Sequence, residues 1–368
     1  MNTNISVSQE LMQLLDYLNA DLENVSLRLS IFDLALRDRQ YKIAREQIDY
    51  LLQLEPSHLD WKFRQAVVLL EQREYESAKR IFISLVDANF QVEEATYFLG
   101  RIAYDTEQYH DVVNLLMPLS GQQSFPVEAL IILLRGFHQQ GQFENALALF
   151  AQKTVQGYVN AAAYSVASII AFDAHAYNEA KLWASMALQD NSQAYEALVT
   201  LGLLGLLAKD PQQARQFLKP AQQLNQHDGR VWLALGVAAL FEHNVEQGLD
   251  CLQKATTYLP FHLGAWNALG WCHFVLRDLE AAKESFQHAL ELDRNFAESH
   301  GGYAVILATQ GAHDLAQKHI QLAQKLDRNN LSARYAQAVL TGEVHDEKKF
   351  SLLVQKALGD RGLSTIFH

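Results

Sequence analysis

An interval of 34 residues constrains this chain more than any other feature of it. Trp266, Leu269, Gly270, Ala282 and Ala289 are matched 34 positions earlier by Trp232, Leu235, Gly236, Gly248 and Ala255. A step forward gives His300, Tyr303, Ala304, Ala316 and Ala323. From Val25 the frame fits nine times without insertion, starting at 25, 59, 93, 127, 161, 195, 229, 263 and 297 and ending at Asn330. Units repeated this way pack on their neighbours, so 368 residues are expected to form one elongated array rather than several globular domains.

The twentieth position of the frame is Ala44, Ala78, Val112, Ala146, Ala180, Ala214, Gly248, Ala282 and Ala316. A small side chain is wanted where two helices approach closely, because an extra methylene overpacks the contact. The seventeenth position carries a ring in the first five units (Tyr41, Tyr75, Tyr109, Phe143, Tyr177), suited to plugging a turn between antiparallel helices. Short polar turns such as Gln140-Gly141-Gln142, with Pro56 and Pro260 at position thirty-two, mark where helices end. Before the array, Leu11, Leu14, Leu15 and Leu18 at helical spacing, with Ser8 as N-cap, predict a leading helix.

These residues resemble the tetratricopeptide-repeat family over about 25–330, most completely at 229–296. The resemblance implies an all-α, right-handed superhelical solenoid of nine helix-turn-helix repeats. An N-terminal capping helix occupies 1–24, and a degenerate tenth pair with a tail occupies 331–368. In that tenth pair, Ala333, Ala336, Ala338 and Leu340 suggest one helix, and Phe350, Leu353, Val354 and Ala357 a second. Two repeats depart from the pattern. In the second, Trp61 sits one place early, with Lys62 and Gln65 at normally apolar positions; in the fourth, Leu134 replaces a small residue and Gly136 follows two places later.

The net charge of -12 opposes binding to nucleic acid or an anionic lipid surface. Apolar runs reach only the 11 residues of 231–241, against the ~20 a membrane span needs. No basic stretch, apolar run and cleavage site open the chain. The two cysteines, Cys251 and Cys272, give no disulfide framework and fit a reducing compartment, so a cytoplasmic location is expected.

Chemistry of the catalytic kind finds no footing. None of the 14 histidines forms an i, i+4 zinc pair, no glycine-rich phosphate loop follows a strand, and no nucleophile has a motif that sets a base beside it. The expectation is no enzyme, no metal and no cofactor.

The resemblance places partner contacts on the concave face, at positions two, five, nine, twelve and thirteen of each first helix. In the third and fourth repeats these supply a polar surface with aromatic interruptions: Tyr97, Arg101, Tyr104, Glu128, Arg135 and His138. In the fifth to eighth they supply Ile169, Phe172, Val199, Leu203, Leu206, Leu207, Leu233, Val237, Leu240, Phe241, Asn267, Trp271, Phe274 and Val275. Exposed by even ~40 Å² each, the thirteen apolar members would make a patch of roughly 500 Å², large for a monomer. The Lys and Asn clamp that some family members use on a chaperone's C-terminal carboxylate is missing, since the fifth positions run from Leu29 through Phe63 and Ser165 to Gly301.

The sequence thus points to a non-enzymatic scaffold that takes a peptide or amphipathic helix into a groove. The alternative is a chaperone that shields an apolar segment of a secreted or membrane-bound client. A homodimer, or the tail residues Ile366 and Phe367, are further candidates to fill the groove.

Overall fold

The computed structural model describes residues 7–122 and 125–342. The second helix expected for the tenth pair and the tail lie outside these residues. Every described regular element is helical, with no strand among them. The chain divides into two compact units, 1–158 and 159–368.

The first unit opens with α1 (Gln9–Ala20), whose Ser8 hydroxyl accepts from the Leu11 amide at 3.3 Å, the cap the sequence offers. Four hairpins follow. Their first helices are α2 (Val25–Arg37), α4 (Leu59–Glu71), α6 (Val92–Asp105) and α8 (Val127–Gln139). Their second helices are α3 (Tyr41–Leu54), α5 (Tyr75–Asp87), α7 (Tyr109–Leu116) and α9 (Phe143–Val155). The helix α7 is cut to eight residues and continues as a 3-10 segment, Met117–Gly121, because Pro118 has no N–H to extend the ladder.

In the second unit the first helices are α10 (Ala161–Asp173), α12 (Tyr195–Leu207), α14 (Gly229–Phe241), α16 (Leu263–Val275) and α18 (Ala297–Thr309). They alternate with α11 (Tyr177–Asp190), α13 (Pro211–Leu224), α15 (Val245–Tyr258), α17 (Leu279–Leu292) and α19 (His313–Leu326). The last described helix is α20 (Leu331–Leu340), which contains Ala333, Ala336, Ala338 and Leu340 as expected.

Three periodic devices build each hairpin. The nine residues at position twenty are all buried, so the second helix seats on them. Position eight, where it is glycine, receives the large residue of position twenty-four: a Cβ on Gly202 would lie 2.5 Å from Leu218 Cγ, and one on Gly236 2.7 Å from Leu252. The turn then closes with a Schellman motif. In the first hairpin the Arg39 amide donates to Leu36 O at 3.1 Å and the Gln40 amide to Ala35 O at 2.7 Å. The motif needs a left-handed residue at position fifteen. Glycine fills it at Gly141 and Gly311, but Arg39, Arg73, Glu107, His175, Lys209, His243 and Arg277 adopt positive φ there too.

A fourth device concerns position four, whose side chain donates to the backbone carbonyl six residues earlier. Arg28 Nη2 does so to Leu22 O, Trp232 Nε1 to Gln226 O and Trp266 Nε1 to Pro260 O, at 2.7, 2.8 and 2.8 Å. The tryptophans of the frame are therefore fasteners of the preceding loop as well as packing units. In the second repeat the early Trp61 is instead buried on the face of His58, with ring centroids 4.1 Å apart.

Candidate interaction surface

The first helices carry every residue singled out for partner contact, but the two units treat them differently. In the first unit, Tyr97, Arg101 and Tyr104 on α6 and Arg135 and His138 on α8 are half-buried, and Glu128 is exposed. The helices α6 and α8 pack on each other, and Arg101 and Glu128 both lie close enough to Tyr97 to act on its phenol. Arg101 donates to Glu71 Oε1 of α4 at 2.8 Å, while Tyr41 Oη of α3 donates to Glu71 Oε2 at 3.3 Å. Tyr104 meets the position-seventeen ring of Tyr109 edge-on at 5.9 Å. Burial raises the Tyr97 phenol above its ordinary pKa, so it stays a neutral donor throughout the physiological range.

In the second unit the expected apolar groove is core. Ile169, Phe172, Val199, Leu203, Leu206, Leu233, Val237, Leu240, Trp271 and Phe274 are all at most 7% exposed, and only Leu207, Phe241 and Val275 keep partial access. Asn267 is also buried. The cause is that consecutive first helices press on each other, α10 on α12 and α18 on α20 above all. Position five faces the next first helix rather than a partner. Ser165 Oγ accepts from the Ala197 amide at 3.0 Å, and a Cβ on Gly301 would lie 2.7 Å from Ser332 Cβ of α20.

Polar side chains on this face are consumed by the same contacts. Asn267 Nδ2 donates to Leu263 O and to Ser299 Oγ, both at 3.0 Å. The Glu298 carboxylate takes three donors from two helices and a cap: Trp271 Nε1 at 3.0 Å, Ser332 Oγ at 2.6 Å and Asn330 Nδ2 at 3.1 Å. Burial outweighs those donors and pushes the Glu298 carboxyl up to about 7.

Further along, Arg230 at the start of α14 forms a bidentate ion pair with Asp173 at the end of α10, one arm measuring 3.1 Å. The pair skips the intervening first helix, α12, and lies beside Phe172, whose ring centroid is 5.6 Å from the guanidinium carbon. Asp173 and Arg230 stand at positions thirteen and two, both on the concave face of the frame, but the sequence reasoning did not pair them because they lie 57 residues apart in different repeats. The thiols of Cys251 and Cys272 are buried and pushed up to about 11 and about 12, so both are protonated and inert at neutral pH.

A family model described as tetratricopeptide repeat matches residues 264–296, and a second of the same description matches 29–78. The chain carries tetratricopeptide repeats. No curated protein sequence matches it. Among solved structures, that of YrrB, titled a TPR protein with an unusual peptide-binding site, is 18% identical over 51% of this chain and 97% of its own, with a TM-score of 0.42. Pseudomonas aeruginosa PilF is 19% identical over 57% of this chain and 96% of its own, with a TM-score of 0.49. A tetratricopeptide repeat protein from Parabacteroides merdae is 14% identical over 68% and 99%, with a TM-score of 0.46. These likenesses carry nothing about partners. Tetratricopeptide repeats support a protein–protein interaction scaffold as the coarse role of this chain. No described helix is long and apolar enough to cross a membrane.

Proposed function

We propose that this chain is a non-enzymatic, cytoplasmic scaffold that holds an extended peptide against the first helices of its second to fourth repeats. The observation that carries the reading is the contrast between the units. Of the residues singled out from the sequence, those on α6 and α8 keep solvent access and polar chemistry, while those from α10 to α16 are mostly spent on the core. Tyr97 and Tyr104 offer ring faces to a side chain of the peptide. Arg101, steadied by Glu71, and Glu128 and Arg135 offer charge of both signs to its backbone and termini. The chaperone alternative has lost the apolar surface on which it rested.

The test is site-specific photo-crosslinking in the native cell. A crosslinker at position 104 is expected to trap a discrete partner, and one at Leu182, an exposed residue of α11, is expected not to. Arg101→Ala with Tyr104→Ala should weaken capture at least about tenfold, since paired Arg and Tyr anchors are commonly worth over 1 kcal/mol each. Undiminished capture by that variant would refute the reading, and a trapped second copy of this chain would replace it with a homodimer.

A further inference from the structure

On α6 the residues Tyr97, Arg101, Tyr104 and Asp105 recur at i, i+4, i+7 and i+8, which sets them on one stripe of the helix. Arg101 is already spent. Its Nη1 donates to Glu71 Oε1 at 2.8 Å, and Glu71 Oε2 accepts from Tyr41 Oη, so this pair is closed on itself and carries no net charge. Asp105 is different: it is exposed, and its carboxylate makes no hydrogen bond or ion pair with another described residue. Glu128, in the first turn of α8, is exposed and unpaired in the same way. The hydroxyls of Tyr97 and Tyr104 also have no partner among the described residues, although both rings are half-buried.

These groups share one neighbourhood. Glu71, Asp105, Glu128 and Arg101 all act on the Tyr97 phenol. With Glu71 and Arg101 cancelling, the two charges left around the ring are both negative. Arg73 also acts on the Asp105 carboxyl but is not paired with it.

The imbalance extends through the unit that carries this stripe. Residues 1–158 hold 21 Asp and Glu against 13 Lys and Arg, a net -8, whereas 159–368 hold 21 against 17, a net -4. The shorter part of the chain therefore carries most of its negative charge, and a field of that sign draws in a basic partner and turns away an acidic one.

The chemistry of the stripe fits the same partner at close range. A tyrosine ring presents its negative face to a cation, and a carboxylate beside it adds charge and acceptor oxygens for an ammonium or guanidinium. An acidic side chain would meet two like charges, and an apolar one would cover two carboxylates without pairing them.

On the peptide face proposed above, and resting on that proposal, we infer that the bound segment presents a lysine or arginine side chain to α6, laid against Tyr97 and Tyr104 and held by Asp105 and Glu128. Arg101 and Glu71, tied to each other, flank this cation subsite and keep the stripe in place.

The experiment is selection of random dodecapeptides displayed on phage against the full chain, followed by affinity measurement on the selected peptides as synthetic probes. Peptides whose binding is lost in Arg101→Ala with Tyr104→Ala are expected to share a Lys or Arg at a common place. Replacing that residue by Ala should weaken binding at least about tenfold, the scale of a hydrogen bond to a charged group. Asp105→Asn with Glu128→Gln should cost a similar factor, and the two changes together should cost little more than either alone, as for groups in contact. Binding should also weaken as salt rises. The helical melting curve of the Asp105→Asn, Glu128→Gln variant should match that of the wild type, since neither carboxylate has a partner to lose. Peptides that depend on Arg101 and Tyr104 but show no excess of Lys and Arg over the starting library would overturn the inference and leave the proposed peptide face standing. Fully additive losses would overturn it as well, by seating the basic residue elsewhere. Peptides indifferent to Arg101→Ala with Tyr104→Ala, or no selected peptide at all, would overturn both.

Discussion

Glu298 makes the second unit sensitive to pH in the neutral range. Its carboxyl stands at about 7 in the folded chain against an ordinary 4.5, a rise of about 2.5 units, because burial outweighs the three hydrogen bonds it accepts. The folded state therefore holds a proton that the unfolded state has already released. The stability this contributes is fully present below about pH 4.5 and is lost as pH rises through about 7. At 1.36 kcal/mol per unit the loss amounts to about 3 kcal/mol. It falls on the joint between α16, α18 and α20, since Trp271, Asn330 and Ser332 are the donors. Two readouts follow it. The Trp271 indole touches the ionising group, so the fluorescence difference between wild type and Glu298→Gln should titrate with a midpoint near 7. Amide exchange in α20 should quicken between pH 6 and 8 in the wild type, beyond the ordinary base-catalysed increase, and keep only that increase in the variant. A flat fluorescence difference from pH 5.5 to 8.5, or equal exchange slopes, would refute the reasoning.

Other substitutions test the remaining parts of the account. Leu203→Ala should destabilise the second unit by about 2–5 kcal/mol in thermal or urea melts, as a core cavity does, while leaving partner capture at the face of α6 and α8 intact. Gly202→Ala should cost about 1–3 kcal/mol through overpacking against Leu218, and combined with Leu218→Ala it should cost less than the sum of the two single changes. Glu107→Gly should raise stability by about 0.5–1 kcal/mol, because it relieves a left-handed non-glycine residue at a cost in unfolded-chain entropy that only partly offsets the gain. A fall in melting temperature for Glu107→Gly would show that the turn geometry is set by something other than the Schellman motif.

The period made the helices legible because it recurs wherever two helices must touch. Small residues at position twenty, glycine at position eight and a ring at position seventeen each mark a contact inside one hairpin, and such contacts are local in sequence. Contacts between successive first helices were not legible in the same way. An apolar residue at position five reads alike whether it lines a groove or meets the next first helix, and the distinction depends on how tightly neighbours approach. Leu203 and Trp271 fell on the wrong side of that ambiguity, while Tyr97 and Arg101 announced their access by polarity. The hydrogen bond between His300 of α18 and His319 of α19 was hidden for another reason: 19 residues is a spacing that only a hairpin of this size converts into adjacency. Pro118, by contrast, was a readable signal that the length of the period masked.

The ion pair between Arg230 and Asp173 changes how the second unit can come apart. In a stack whose members interact only with the next in line, each can be lost from an end with an energy that its own two faces determine. A link that vaults α12 breaks that bookkeeping, because α10 and α14 cannot separate without disturbing whatever lies between them. Excising residues 195–228 would preserve the 34-residue frame and yet leave the guanidinium and carboxylate at the wrong distance, so shortened versions of this chain should melt less sharply than their repeat number implies. The ion pair is expected to couple the fifth, sixth and seventh repeats, so a pulling experiment should release them in a single step of roughly three repeats rather than one.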